Sequence, residues 1–168
     1  MKVIIIDDEA SFADSLKDLV QVEGYEAEVY HTLKQAREGL EGADEPMVVL
    51  LDHDFRDVGE KDQVGYDFCG WLRENHPFGL LLPIIYLTGR ETTEHFLKQQ
   101  RDNPFVHPSA YISKDQLASD QELLPNLLKQ YQEQFERIRE LSEKQGVQQA
   151  LIGFRDMEPE DSNYYEAE

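Results

Sequence analysis

Three aspartates stand at the ends of two aliphatic runs: Asp7 and Asp8 close VIIIDD, and Asp52 closes MVVLLD. Thr88 and Gly89 close a third run, PIIYLTG, and Lys114 closes a shorter one, AYISK. If these runs are neighbouring strands, three carboxylates share one crevice with a hydroxyl, a bare backbone and an ammonium. Two carboxylate charges ~5 Å apart at an effective dielectric of ~20 repel by roughly 3 kcal/mol, so the set calls for a cation or a shifted pKa. Oxygen donors without nitrogen or sulfur favour Mg²⁺ over zinc. Lys114 offers a point charge for a carboxylate or a phosphoryl oxygen. Each residue alone has a plain structural use, Asp8 as a helix N-cap, Thr88 as a turn residue, Lys114 as a surface cation. Their coincidence at four strand ends argues for chemistry.

The elements that must hold them are legible as an alternation. KVIII and MVVLL are unbroken apolar runs, as parallel strands covered on both faces should be. YEAEVY is half polar and suits a sheet edge. PIIYLT is buried in character, with Pro83 acceptable only as its first residue. AYIS is a fifth, shorter strand. Between them, ASFADSLKDLVQVEG puts Phe12, Leu16, Leu19 and Val20 on one helical face and ends at Gly24. TLKQAREGLEG begins at Thr32 as N-cap and turns Leu33, Ala36 and Leu40 inward. YDFCGWLREN groups Phe68, Trp71 and Leu72, and ETTEHFLKQQRDN is a weaker helical segment. The alternation predicts an α/β fold, a doubly wound five-stranded parallel sheet. Ligands in such sheets bind beyond the strand carboxyl ends, at the switch point between the first and third strands.

An extended C-terminal helix follows, from about Leu123 to Lys144, roughly 33 Å long. Leu124, Leu128, Tyr131, Phe135 and Ile138 recur on it at alternating spacings of four and three, a coiled-coil-like seam. The first two are expected in the core, and the others against a partner or a second copy of the chain. After Gly146 the sequence turns acidic and polar, with little to bury. The division expected is residues 1–130 as one domain and 131–168 as helical extension and tail.

A formal net charge of −19 over 168 residues opposes binding to nucleic acid or to an anionic membrane. The longest apolar run, FGLLLPIIYL, is broken by Gly79 and Pro83 and falls far short of the ~20 residues that span a bilayer. No signal peptide is visible, because VIII stops at Asp7. A soluble, cytoplasmic chain is the expectation. The single cysteine, Cys69, is expected as a small apolar residue on a half-buried helix rather than as a reactive thiol.

VIIIDDE at 3–9, PMVVLLD at 46–52, GYDFCGWLR at 65–73, PIIYLTGR at 83–90 and AYISKD at 110–115 together resemble a response-regulator receiver domain of two-component signalling, over roughly residues 1–130. The resemblance implies the flavodoxin-like sheet, in the order 2-1-3-4-5, and a role for each position. Asp52 would be the phosphoacceptor, taking a phosphoryl group from a phosphohistidine on a sensor histidine kinase or phosphotransfer protein, or from a small acyl phosphate. Asp7, Asp8 and Asp52, with the backbone carbonyl of Asp54, would hold Mg²⁺. Lys114 would pair with the phosphoryl oxygens. Thr88 would bond the phosphoryl group, and Tyr111 would turn inward as Thr88 moves, reshaping the face formed by the fourth helix, fifth strand and last helix. Such a chain accepts and slowly loses a phosphoryl group on itself and is not a turnover enzyme.

The chain also departs from that family. The loop HDFRDVGEKDQVG lacks the usual Met-Pro turn and runs longer, and Asp115 stands where a proline usually follows the lysine. Asp54 and Arg90 occupy positions that tune how fast water removes the phosphoryl group, and a salt bridge between them is expected. DHDF followed by LTGR and a lysine also resembles the haloacid-dehalogenase-type phosphatases, with Asp52 as nucleophile and Asp54 as acid. Order opposes that reading, because those enzymes place their acidic metal-binding pair after the lysine. A phosphate-independent binding module on the receiver fold is the remaining alternative.

Overall fold

Val3–Ile6 of β1 (Lys2–Ile6) and Val48–Leu51 of β3 (Met47–Asp52) are fully buried on both faces. Residues of this kind can be accommodated without alternation only where helices cover both sides of a parallel sheet. The computed structural model describes residues 1–53, 55, 65–79, 81–89 and 108–145, with 142–145 as backbone only. Asp54, Arg90, the longer loop at 56–64, the helical segment expected within 91–103 and the tail from 146 onward lie outside the described residues.

The five strands pair in parallel in the order β2-β1-β3-β4-β5, with β2 at Glu26–Tyr30, β4 at Ile84–Thr88 and β5 at Ala110–Ser113. The half-polar β2 forms one edge, as its composition requires. Pro83 stands just ahead of β4, where its missing N–H costs nothing, and its carbonyl accepts the Val49 N–H at 2.9 Å.

Helix α1 (Ala10–Val22) buries Ala13, Leu16 and Val20 and is followed by Gly24 at φ +84°. Phe12 and Leu19 are only half-buried, so its core-facing stripe is narrower than the sequence pattern indicates. Thr32 starts α2 (Leu33–Leu40), its hydroxyl accepting the Gln35 N–H at 3.1 Å, and Leu33, Ala36 and Leu40 face inward. Helix α3 (Gly65–Asn75) buries Phe68, Cys69 and Leu72, while Trp71 stays half-buried with the Arg37 guanidinium 5.9 Å from its ring. Burial pushes the Cys69 thiol up, which suits packing rather than reactivity. Leu33, Leu40, Phe68 and Leu72 close over Ile4, Ile6, Val49, Leu51 and Ile84 in one apolar cluster.

Among the described residues two helices follow β5: the short α4 (Lys114–Ser119) and the 23-residue α5 (Leu123–Gln145). The chain separates into two compact units, Met1–Leu128 and Lys129–Glu168. Leu124 and Leu128 are buried in the first, and Tyr131, Phe135 and Ile138 are half-buried in the second. Among the described residues no helix is long and apolar enough to cross a membrane.

Candidate functional site

Strand register brings the chemistry-bearing residues to one end of the sheet. Ile6 pairs with Leu51, so Asp7 and Asp52 leave their strands at the same level. Asp52 pairs with Leu87, placing Thr88 one step beyond, and Thr88 pairs with Ser113, so Lys114 follows directly. All four positions lie at or just past the strand carboxyl ends, around the switch between β1 and β3.

Local hydrogen bonds then aim the side chains. Asp7 donates its N–H to the Tyr30 carbonyl at 3.1 Å, and its Oδ1 accepts the Glu9 N–H at 2.9 Å. Glu9, rather than Asp8, occupies the N-cap of α1, and it makes no side-chain cap bond. That leaves Asp8 for the crevice: carboxylate oxygens of Asp7, Asp8 and Asp52 all lie within 4.8 Å of one another. Where the sequence pattern ends the fifth strand on Lys114, the strand stops at Ser113 and Lys114 opens α4. The cause is a reciprocal cap, in which the Ser113 hydroxyl accepts the Gln116 N–H and the Gln116 side chain accepts the Ser113 N–H, both at 3.0 Å. The Lys114–Asp115 bond is trans.

So anchored, the Lys114 ammonium lies 2.8 Å from Asp7 Oδ2, 3.1 Å from Asp52 Oδ1 and 4.0 Å from Glu9 Oε2. Burial, then the neighbouring Asp7 charge, push Asp52 up to about 6 against the pull of Lys114. Burial likewise raises Asp7, although Lys114 and the Glu9 N–H draw it back. For Lys114 burial opposes the charge, but its two aspartate partners outweigh it and the pKa rises. One ammonium thus faces three carboxylates, two of them buried and raised. Such an oxygen-only set of clustered carboxylates fits a hard divalent cation such as Mg²⁺.

Thr88 is buried at the end of β4, and Gly89 leaves the Lys114 stem unobstructed, since a Cβ there would only just touch Lys114 Cδ at 4.0 Å. Tyr111 is half-buried, with its ring 5.8 Å from that of Tyr86. Tyr86 is in turn 5.2 Å from Tyr66, and Tyr66 is 5.0 Å from His53. A file of rings therefore runs from the neighbour of Asp52 to Tyr111. Gly65 is pressed against the backbone at the end of β3: its N–H donates to the His53 carbonyl at 3.0 Å, and a Cβ would stand 2.5 Å from the Asp52 carbonyl oxygen.

Asp7, Asp8, Asp52 and Lys114 thus meet at one end of the sheet, with Thr88 at the adjoining strand end and Tyr111 on the edge strand. Asp54 and Arg90 lie outside the described residues, and with them the expected salt bridge. The sequence reading gave no site role to Glu9 or His31, and it placed Phe12 only among the inward-facing residues of its helix. His31 sets its Nδ1 3.1 Å from the Asp7 carbonyl oxygen, and the Lys114 ammonium stands 4.5 Å from the centroid of the Phe12 ring. Nothing in their spacing separates these residues from ordinary helix and loop positions.

A family model described as the response regulator receiver domain matches residues 3–116. The chain is 30% identical over 91 residues to the regulatory protein VanR of Enterococcus faecium, covering 54% of this chain and 35% of that protein. It is 34% identical over 92 residues to the transcriptional regulatory protein CreB of Escherichia coli K12, covering 52% of this chain and 34% of that protein. The match thus spans about a third of the length of these relatives. Among solved structures, a CheY-like response regulator receiver domain protein from Methanospirillum hungatei JF-1 superposes with a TM-score of 0.62 at 22% identity, over 80% of this chain and 96% of that one.

Proposed function

The chain belongs to the response regulator receiver domain family, and from that premise we propose that it accepts a phosphoryl group on Asp52 from the phosphohistidine of a sensor kinase or phosphotransfer protein. The observation that carries the proposal is the placement of Asp52. Its carboxylate is buried at the switch point, 3.1 Å from the Lys114 ammonium and within reach of two further acidic side chains.

An Asp52 carboxylate oxygen attacks the phosphorus, forming a P–O bond as the P–N bond to the donor imidazole breaks. The electron pair of that bond returns to the imidazole, which takes up a proton. Lys114 holds one phosphoryl oxygen, exchanging a carboxylate partner for it. A divalent cation held by Asp7, Asp8 and Asp52 would supply charge neutralisation at the carboxylates and the phosphoryl oxygens. Positioning and charge stabilisation of this kind account for most of the catalysis in phosphoryl transfer. The new group brings about −1.5 to −2 charge and three strong acceptors. Thr88, at the adjoining strand end, donates its hydroxyl to one of them, and Tyr111 follows by turning further toward Tyr86. The face containing β5 and the start of the last helix changes shape, and a protein partner reads it. The modification is a state of the protein and not a turnover reaction. The half-buried seam Tyr131, Phe135 and Ile138 is where a second copy would pack, and molar mass in solution measures it.

Incubation with acetyl phosphate and Mg²⁺, followed by intact mass, tests the reading on wild type, Asp52→Asn and Asp54→Asn. One added phosphoryl group, lost only in Asp52→Asn, is the expected result. No adduct in any folded variant favours the phosphate-independent module. Loss in both variants with rapid phosphate release by wild type favours the phosphatase.

A further inference from the structure

The Lys114 ammonium has three anionic neighbours, Asp7, Asp52 and Glu9. It also stands over the Phe12 ring, 4.5 Å from the centroid. Phe12 lies in the first turn of α1, where its N–H donates to the Glu9 carbonyl at 3.1 Å. The core-facing work of that helix is done by Ala13, Leu16 and Val20, while Phe12 is half-buried with its ring toward the lysine.

We propose that Phe12 is a positioning residue for Lys114. An aromatic face attracts a cation through its quadrupole, yet offers no lone pair that would select one direction for the ammonium N–H bonds. It therefore holds the charge over the crevice without competing for its hydrogen bonds. That property matters when a phosphoryl oxygen arrives and the ammonium must trade a carboxylate for it. A carboxylate or amide in place of the ring would retain a bond to the lysine and slow the exchange. The ring also shields one side of the ammonium, whose side chain is only 18% exposed, and so keeps water from weakening its pairing. An aliphatic residue fills similar space but lacks the attractive face.

The kinetic part rests on Asp52 being the acceptor, whereas the placement of the ammonium does not. Two variants separate the effects: Phe12→Leu keeps apolar bulk and removes the ring, and Phe12→Tyr keeps the ring. In the metal-free protein, the Lys114 ε-methylene and ammonium resonances are expected upfield in wild type and Phe12→Tyr, and at ordinary positions in Phe12→Leu. The rate of adduct formation with acetyl phosphate is expected to fall about fivefold in Phe12→Leu and to recover in Phe12→Tyr. Unshifted Lys114 resonances in wild type, an unchanged rate in Phe12→Leu, or equal slowing in both variants would each overturn the proposal. If wild type forms no adduct, the acceptor reading fails, and the Lys114 resonances alone then decide the placement by Phe12.

Discussion

Within β3, the body of the strand and its tip obey opposite rules. Val48 to Leu51 are aliphatic and fully buried, and each adds to stability by leaving water. Asp52, one residue further on, is also buried, but it is a charged group among like charges, and burial works against it. The tip is tolerable because Lys114 neutralises part of its charge, and because a strand end leaves one side open to a ligand. A binding site here is a place where the stability of the strand body offsets a local electrostatic cost.

The largest effect should come from removing the cation at the tip. Lys114→Ala is expected to slow phosphoryl uptake from acetyl phosphate by about 10²–10³-fold, the usual consequence of losing a group that stabilises developing charge. Mass-resolved time courses measure it, and a wild-type rate would show that the ammonium only balances the resting charge. In the strand body, Leu50→Ala should cost about 2–5 kcal/mol in urea unfolding, since a fully buried side chain leaves a cavity behind.

Two residues away the sign should reverse. Asp52→Asn in the metal-free protein at neutral pH is expected to stabilise by on the order of 2 kcal/mol, because one of three crowded carboxylates disappears while Lys114 keeps Asp7. Its pH dependence follows from the raised value. Asp52 binds its proton more tightly in the folded chain, at about 6 against an ordinary 3.8, so its contribution favours folding at low pH and is lost as the pH rises through about 6. Asp7 is raised too and acts in the same direction. The stability difference between Asp52→Asn and wild type should therefore widen between about pH 4 and pH 8, and millimolar Mg²⁺ should narrow it. A destabilised Asp52→Asn at neutral pH would erase the contrast between body and tip. The smallest effect is expected far from both, where Arg37→Ala removes the guanidinium near Trp71 and should cost about 0.5–1 kcal/mol.

The strand body was legible in the sequence because unbroken runs such as VVLL have few other soluble uses, and the helices because their apolar residues recur with the helical period. The tip was legible in kind: acids, a hydroxyl and a lysine after four apolar runs can meet only if the strands are parallel neighbours. The extent of β5 was less so, since Lys114 reads equally as the last strand residue or the first helical one. The Ser113–Gln116 cap decides between them. Phe12 matched the apolar spacing of α1 and so reads as core, because periodicity records which side of a helix a residue takes and not what stands opposite.

From the order of residues alone followed the sheet, its covered faces and the identity of the groups at its carboxyl end, because burial pattern and residue chemistry are properties of short segments. Only the tertiary structure decided which of those groups touch. The pairing of Lys114 with Asp7 and Asp52, the ring of Phe12 beside it, and Gly65 against the Asp52 backbone join segments far apart in the chain. Strand register and helix packing set those distances at a scale of tenths of an ångström. Charge pairing and raised pKa values depend on distance and burial together, so they exist only once the segments have met.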